Sequence, residues 1–214
     1  MERKTGLILA LDVTDRGRAL NIAKATAGHL DAIKVNYPLA LACGMEIVRD
    51  LAKDAYVLCD FKVADIPNTN RLIVERAIAS GASGVVCHAF AGSDSVKACV
   101  DAAKGREIFV VTEMSHPGGQ QFTGRLADEL AKVAVEAGAK GVIAPATRPD
   151  RIAHIRKIIG KLEILSPGVG AQGGSASDAL KAGADHIIVG RSIYEASDPA
   201  KVAKHLVEEA QKQF

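Results

Sequence analysis

Asp60, Lys62 and Asp65 are the residues of this chain best placed to do chemistry, and their spacing is the reason. They close an apolar run, Ala55-Tyr56-Val57-Leu58-Cys59, that reads as a buried strand ending at Phe61. Side chains alternate faces along a strand, so Asp60 and Lys62 point one way and Phe61 the other. A carboxylate and an ammonium therefore leave one strand end side by side, with a second carboxylate at the start of the following loop. Nearby negative charge favours the ammonium form of a lysine. That suits a proton donor and argues against a Schiff-base lysine, which needs a depressed pKa. A surface ion pair at a strand terminus is the other reading of such a triplet.

Further groups fall at equivalent places. Asp12 and Lys34 end two earlier apolar runs. A glycine-rich stretch, Gly168-x-Gly170-x-x-Gly173, follows a later one, and Val189-Gly190-Arg191 ends the last. The glycine spacing formally matches a dinucleotide fingerprint, but no acidic residue stands about twenty positions on to hold a ribose. Backbone amides together with Arg191 suit a phosphate instead. The six histidines do not cluster, and no H-x-H or H-x-x-x-H pair points to a metal. His88 ends an apolar run and is placed to line the same mouth or to bond structurally.

These groups need elements that bring them together. Eight apolar runs read as strands: 6–12, 32–35, 55–61, 84–88, 107–112, 141–144, 163–166 and 186–189. Most are apolar on both parities, as parallel strands covered on both faces should be. Amphipathic segments separate them; in the last, Val202, Ala203, Leu206, Val207 and Ala210 mark one helical face. Eight βα units in 214 residues predict a single lean (β/α)8 TIM barrel spanning residues 1–214. A doubly wound open sheet is the alternative, and it would normally use fewer strands. Small-residue punctuation recurs where helices end, at residues 79–82, 136–139 and 181–184. Two long loops, 115–124 and 167–174, lie at strand C-terminal ends, where mobile lids belong.

Charge nearly balances, 27 Lys and Arg against 25 Asp and Glu, with no basic stripe, so a nucleic-acid surface is not expected. The first apolar stretch stops at Asp12, too short and too charged for a signal peptide or membrane span. None of the four cysteines forms a C-x-x-C pair, and reduced core thiols in a cytoplasmic protein are expected.

In combination the motifs resemble one family. Asp60-x-Lys62-x-x-Asp65-Ile66-Pro67-Asn68-Thr69 is similar to the signature of orotidine 5′-monophosphate decarboxylases. So are Leu9-Ala10-Leu11-Asp12, Ile33-Lys34-Val35, residues 112–118 (TEMSHPG), residues 166–173 (SPGVGAQG) and residues 188–192 (IVGRS). The resemblance covers essentially the whole chain and is greatest to compact archaeal members. The D-x-K-x-x-D core is shared with metal-dependent barrels such as hexulose-phosphate synthase, the runner-up. The Ile-Pro-Asn-Thr extension and the Ser-Pro-Gly-Val-Gly-Ala-Gln loop favour the decarboxylase.

The resemblance implies a cofactor-free lyase for the last step of UMP biosynthesis, with no metal. It implies that Lys62 protonates C6 of the pyrimidine as carbon dioxide leaves, with Asp60 against the substrate carboxylate. Lys34 completes the charged row and binds ribose, as does Asp12. Asp65 and Thr69 reach across a homodimer interface to the partner's ribose. Ser115, Pro167 and Gln172 surround the base, with Gln172 also touching phosphate, and Gly190 and Arg191 bind the phosphate.

Overall fold

Strands rich in Val, Ile and Leu on both parities can be buried on both faces only if a second apolar layer wraps the sheet. A computed structural model describes residues 1–212 and shows that arrangement. The strands are β1 (Leu7–Ala10), β2 (Ala32–Val35), β3 (Val57–Val63), β4 (Gly84–His88), β5 (Glu107–Val111), β6 (Gly141–Ile143), β7 (Glu163–Pro167) and β8 (His186–Val189). All pair in parallel in chain order, and β8 returns to β1 with Ile188 opposite Ile8, closing a barrel. The expected TIM barrel is the observed fold. Around it run α1 (Arg16–Thr26), α2 (Tyr37–Cys43), α3 (Glu46–Leu51), α4 (Pro67–Ala79), α5 (Ser93–Ala102), α6 (Thr123–Glu136), α7 (Pro149–Ile159), α8 (Ala176–Lys181), α9 (Arg191–Tyr194) and α10 (Pro199–Gln211). Among the described residues no helix is long and apolar enough to cross a membrane.

Strand parity divides the core in two. One set, including Leu7, Leu9, Ile33, Val35, Val57 and Cys59, packs outward against the helices. The other fills the barrel: Ile8, Ala10, Ala32, Leu58, Val86, Phe109, Val111, Ile143, Leu165 and Ile188. Each fully buried aliphatic side chain contributes about 1.5–3 kcal/mol. The inner set also fixes what comes next. Two residues beyond Ala10, Ala32, Leu58, Val111, Leu165 and Ile188 stand Asp12, Lys34, Asp60, Glu113, Pro167 and Gly190. The apolar plug thus sets these six residues in a ring at the C-terminal mouth.

The repeated punctuation has one geometry. Gly81, Gly138 and Gly183 take φ of 101°, 76° and 106°. The following alanine donates back into the helix each time: Ala82 to Ala77, Ala139 to Ala134 and Ala184 to Ala179, at 3.2, 3.0 and 3.0 Å. This Schellman closure satisfies the last carbonyls and turns the chain directly into β4, β6 and β8.

Candidate active site

The centre of the mouth is a row of alternating charge. Lys62 Nζ donates to both oxygens of Asp60, at 2.8 and 2.9 Å. On the other side Lys34 Nζ lies 3.0 Å from Asp60 Oδ2 and 3.8 Å from Asp12 Oδ1. Asp60 and Lys34 are 7% and 5% exposed, so these charges interact through little water. Burial opposes ionisation of both groups, but each is overruled by its partners. Lys34 is held above its ordinary pKa by Asp60 and Asp12, and Asp60 is held below its own by Lys34 and Lys62. Asp12 Oδ1 is buried and has no hydrogen-bond donor, which leaves an acceptor for a ligand hydroxyl.

The expected strand end at Phe61 is corrected: β3 starts at Val57, not Ala55, and continues to Val63. Its pleat is also broken. Cys59 pairs with Val85 but Val63 pairs with Cys87, so four steps along β3 answer two along β4. Lys62 takes up the excess at φ 45°, a left-handed conformation that costs a non-glycine residue about 1–2 kcal/mol. Phe61 turns outward, buried, and stacks on Tyr37 with ring centroids 5.4 Å apart. Tyr37 Oη donates to the Phe61 carbonyl at 2.8 Å. Asp60 and Lys62 do share the mouth, but a bulge puts them there rather than simple alternation.

The loop after β7 supplies the opposite wall. Gly170 sits at φ 73°, and a Cβ there would fall 2.6 Å from Ser192 Oγ. That close approach seats the loop on the start of α9, beside Gly190 and Arg191. The long loop after β5 is not shapeless, since Pro117–Gln121 form a 3-10 helix. Ser115 Oγ donates to Gln172 Oε1 at 2.8 Å, so the two glycine-rich loops meet across the mouth. They enclose a cavity of about 570 Å³ lined by Asp12, Lys34, Asp60, Lys62, Ser115, Pro167, Gln172, Gly190 and Arg191. A larger recess, about 760 Å³, opens beside α1 and α3 at the other end. Its walls mix Leu20, Ala23, Leu30 and Leu51 with charged residues such as Glu2, Lys24 and Asp54, and its Asp50 is taken by Arg16 and Lys53. The buried row of alternating charge, not size, locates the site.

The family model described as "Orotidine 5'-phosphate decarboxylase / HUMPS family" matches residues 5–206. The chain belongs to that family. The orotidine 5'-phosphate decarboxylase of Methanosarcina mazei is 58% identical over 99% of this chain and 97% of its own length. That of Thermococcus kodakarensis is 50% identical over 95% of each. Among solved structures, the Methanocaldococcus jannaschii orotidine 5'-monophosphate decarboxylase complexed with inhibitor BMP superposes with a TM-score of 0.92. It is 43% identical and covers 98% of this chain and 99% of that one. The resemblance read from the motifs is thus a full-length family relationship.

Two of the signature residues do not reach this mouth. Asp65 and Thr69 are absent from the cavity wall, and Asp65 is exposed on the rim. Ile66 leaves extended, at φ −64° and ψ 155°, as the following proline requires, and α4 begins at once. His88 also stays out of the wall. Its ring lies 4.6 Å from that of Phe90, and burial, with the Lys62 ammonium adding, pushes it down to about 4.

Other wall residues were not foreseen as functional: Asn36, Glu113, Met114 and His116. Glu113 is buried and accepts from Arg148 Nε at 2.8 Å and Arg151 Nε at 3.0 Å. Arg148 donates as well to the carbonyls of Met114 and Ser115. Parity beyond Val111 could have found Glu113. Nothing marks Arg148, which reaches in from the turn before α7. Among the described residues no three His, Cys, Asp or Glu side chains gather as a metal would need.

Proposed function

We propose that this chain is a cytoplasmic, cofactor-free orotidine 5'-monophosphate decarboxylase that makes uridine 5'-monophosphate. The observation that carries the reading is the buried row Asp12, Lys34, Asp60, Lys62, set in one cavity with Arg191 and the loop after β7. The C6–carboxylate bond breaks, carbon dioxide leaves, and the electron pair stays on C6. The Lys62 ammonium gives its proton to C6, and the neutral amine is then reprotonated from water. The pyrimidine offers that carbanion no conventional electron sink, so a fixed ammonium in a low-dielectric mouth supplies the stabilisation. Asp60 stands where it holds Lys62 and faces the departing carboxylate.

The remaining contacts are those the family resemblance implies, and the shared cavity supports them. The unpartnered Asp12 Oδ1 accepts a ribose hydroxyl, with Lys34 beside it. Ser115, Pro167 and Gln172 flank the base, and Gly190 and Arg191 take the phosphate. Phosphate binding is remote from the bond that breaks, so its energy holds the two loops together over the reacting carbon.

The working enzyme is a homodimer in which Asp65 and Thr69 serve the partner's site. Their place on the rim supports this, as does the exposed apolar side chain next to Asp65, Ile66 at 65%. Four free cysteines, three of them buried, support the reducing compartment.

The deciding experiment is loss of orotidine 5'-monophosphate absorbance with purified protein and added chelator. Turnover that survives the chelator supports the reading. Turnover that requires a divalent cation points to the metal-dependent sugar-phosphate chemistry of related barrels. Within the mouth, two ammoniums at 3.0 Å or less from Asp60 repel such a cation. The shared site is tested by refolding Lys62→Ala together with Asp65→Asn, each nearly inactive alone. A heterodimer then carries one site with both lesions and one with neither, and activity returns. If each chain supplied its whole site, the mixture would stay as inactive as its parents.

A further inference from the structure

Just beyond Lys62 the chain is gripped at Asp65 by three hydrogen bonds that close a ring. The Asp65 N–H donates to Asn70 Oδ1 at 2.9 Å, Asn70 Nδ2 donates to the Ser95 carbonyl at 3.2 Å, and Ser95 Oγ donates to the Asp65 carbonyl at 2.6 Å. Asn70 lies in the first turns of α4 and Ser95 in the first turn of α5. They are 1% and 2% exposed, in a layer otherwise filled by Val74, Ala77, Val96 and Cys99. A buried amide or hydroxyl in such surroundings is costly unless its bonds are made. Here two of the three bonds go to the two peptide groups of a single residue. The Asp65 carboxylate stays outward, with Oδ1 accepting from the Ile66 N–H at 2.7 Å.

What precedes the ring gives it meaning. Lys62 is at φ 45°, and a left-handed lysine persists only where its flanks leave the chain no alternative. One flank is the Val63 pairing with Cys87. The other is the grip on Asp65, two residues further on. Neither Asn70 nor Ser95 touches the cavity.

We infer that Asn70 and Ser95 are positioning residues for the decarboxylation. They lock the Asp65 peptide, which aims its carboxylate at the rim and holds the short segment back to Lys62 taut. The inference rests on the roles proposed above for Lys62 and Asp65.

The test uses full-length protein, with the wild type assayed first on orotidine 5'-monophosphate. Ser95→Ala, Asn70→Ala and the double variant are then compared for kcat, KM and uridine 5'-monophosphate affinity at a temperature where each is folded. Misaiming a reacting group by about 1 Å costs roughly 100-fold, so kcat falls about 10- to 100-fold in each single variant. KM and product affinity change several-fold less than kcat, because the phosphate contacts and those of Asp12 and Lys34 are untouched and only the Asp65 contact is disturbed. The double variant is little worse than the poorer single, since one ring breaks once. Ser95→Thr, which keeps the hydroxyl, recovers kcat. In an Asp65→Asn background Ser95→Ala costs less than in the wild type. Wild-type kcat in folded Ser95→Ala overturns the inference, as does a loss that only tracks the folded fraction, even if Asn70→Ala fails to fold. An inactive wild type overturns the functional reading itself, which separates the two failures.

Discussion

Both ends of the barrel hold ionised groups, and they use them in opposite ways. At the N-terminal end Tyr56 Oη donates to Glu107 at 2.5 Å, Lys140 lies 2.9 Å from Glu163, and the Met1 amino group pairs with Glu107. Nearby, Asp31 accepts from the N–H groups of Lys4, Thr5 and Gly6 at 3.0, 2.9 and 2.7 Å. These charges are paired with protein groups from several elements, although Glu163 Oε2 and His186 Nδ1 are buried without a hydrogen-bond partner. At the C-terminal mouth a row whose central pair, Asp60 and Lys34, is more deeply buried keeps one lysine in a strained conformation and one aspartate oxygen without a donor. Unpaired polar atoms occur at both ends; what sets the mouth apart is that its charges line one cavity and that Lys62 among them is strained.

The comparison is broken most sharply at Lys62. Lys62→Ala is expected to lower kcat at least about a thousandfold, as loss of a general acid and its charge should. Uridine 5'-monophosphate should still bind. A variant that kept a tenth of wild-type turnover would remove Lys62 as proton donor. Next in size is Arg191→Ala, expected to cost phosphate-bearing ligands about 2–5 kcal/mol, the usual loss for truncating a charged hydrogen-bond partner. The phosphate-free nucleoside should be unaffected, and equal losses for both would move the phosphate site elsewhere.

The smallest effect is sought at the N-terminal end. Burial opposes the Asp31 charge, but the His186 ring and three backbone N–H groups overrule it and hold the carboxyl at about 2. A depressed carboxyl stabilises the fold above its unfolded pKa, about 4, and loses that contribution as pH falls towards 2. Melting curves across that window should therefore be flatter for Asp31→Asn than for the wild type, with kcat at neutral pH unchanged. Parallel curves would show that Asp31 does not titrate there.

The inner ring was legible because a strand's two-residue period needs no tertiary knowledge. Asp12, Lys34, Asp60, Pro167 and Gly190 follow from apolar neighbours two residues back. The bulge was not legible, since nothing in Cys59-Asp60-Phe61-Lys62-Val63 encodes it locally. Its causes are the two registers of β3 on β4 and the stacking of Phe61 on a tyrosine 24 positions away. Arg148 escaped for a related reason. Its partners are Glu113 and the Ser115 carbonyl, 35 and 33 residues distant, and a turn arginine has no pattern of its own. The division of the β2–β3 connection into α2 and α3 also went unseen, although Gly44, at φ 69°, marks the break.

The pairing of β8 with β1 bears on how the protein is made. Asp12 is synthesised long before Arg191, yet they line one cavity. On the ribosome, β1 to β7 can be complete while both outer strands still present unpaired edges, which are templates for aggregation. Nothing relieves that exposure until residues 186–189 emerge and dock against residues 7–10. Closing so long a loop is a slow, high-contact-order event. The nascent chain therefore completes its cavity wall with Arg191 and loses its sticky edges in the same step.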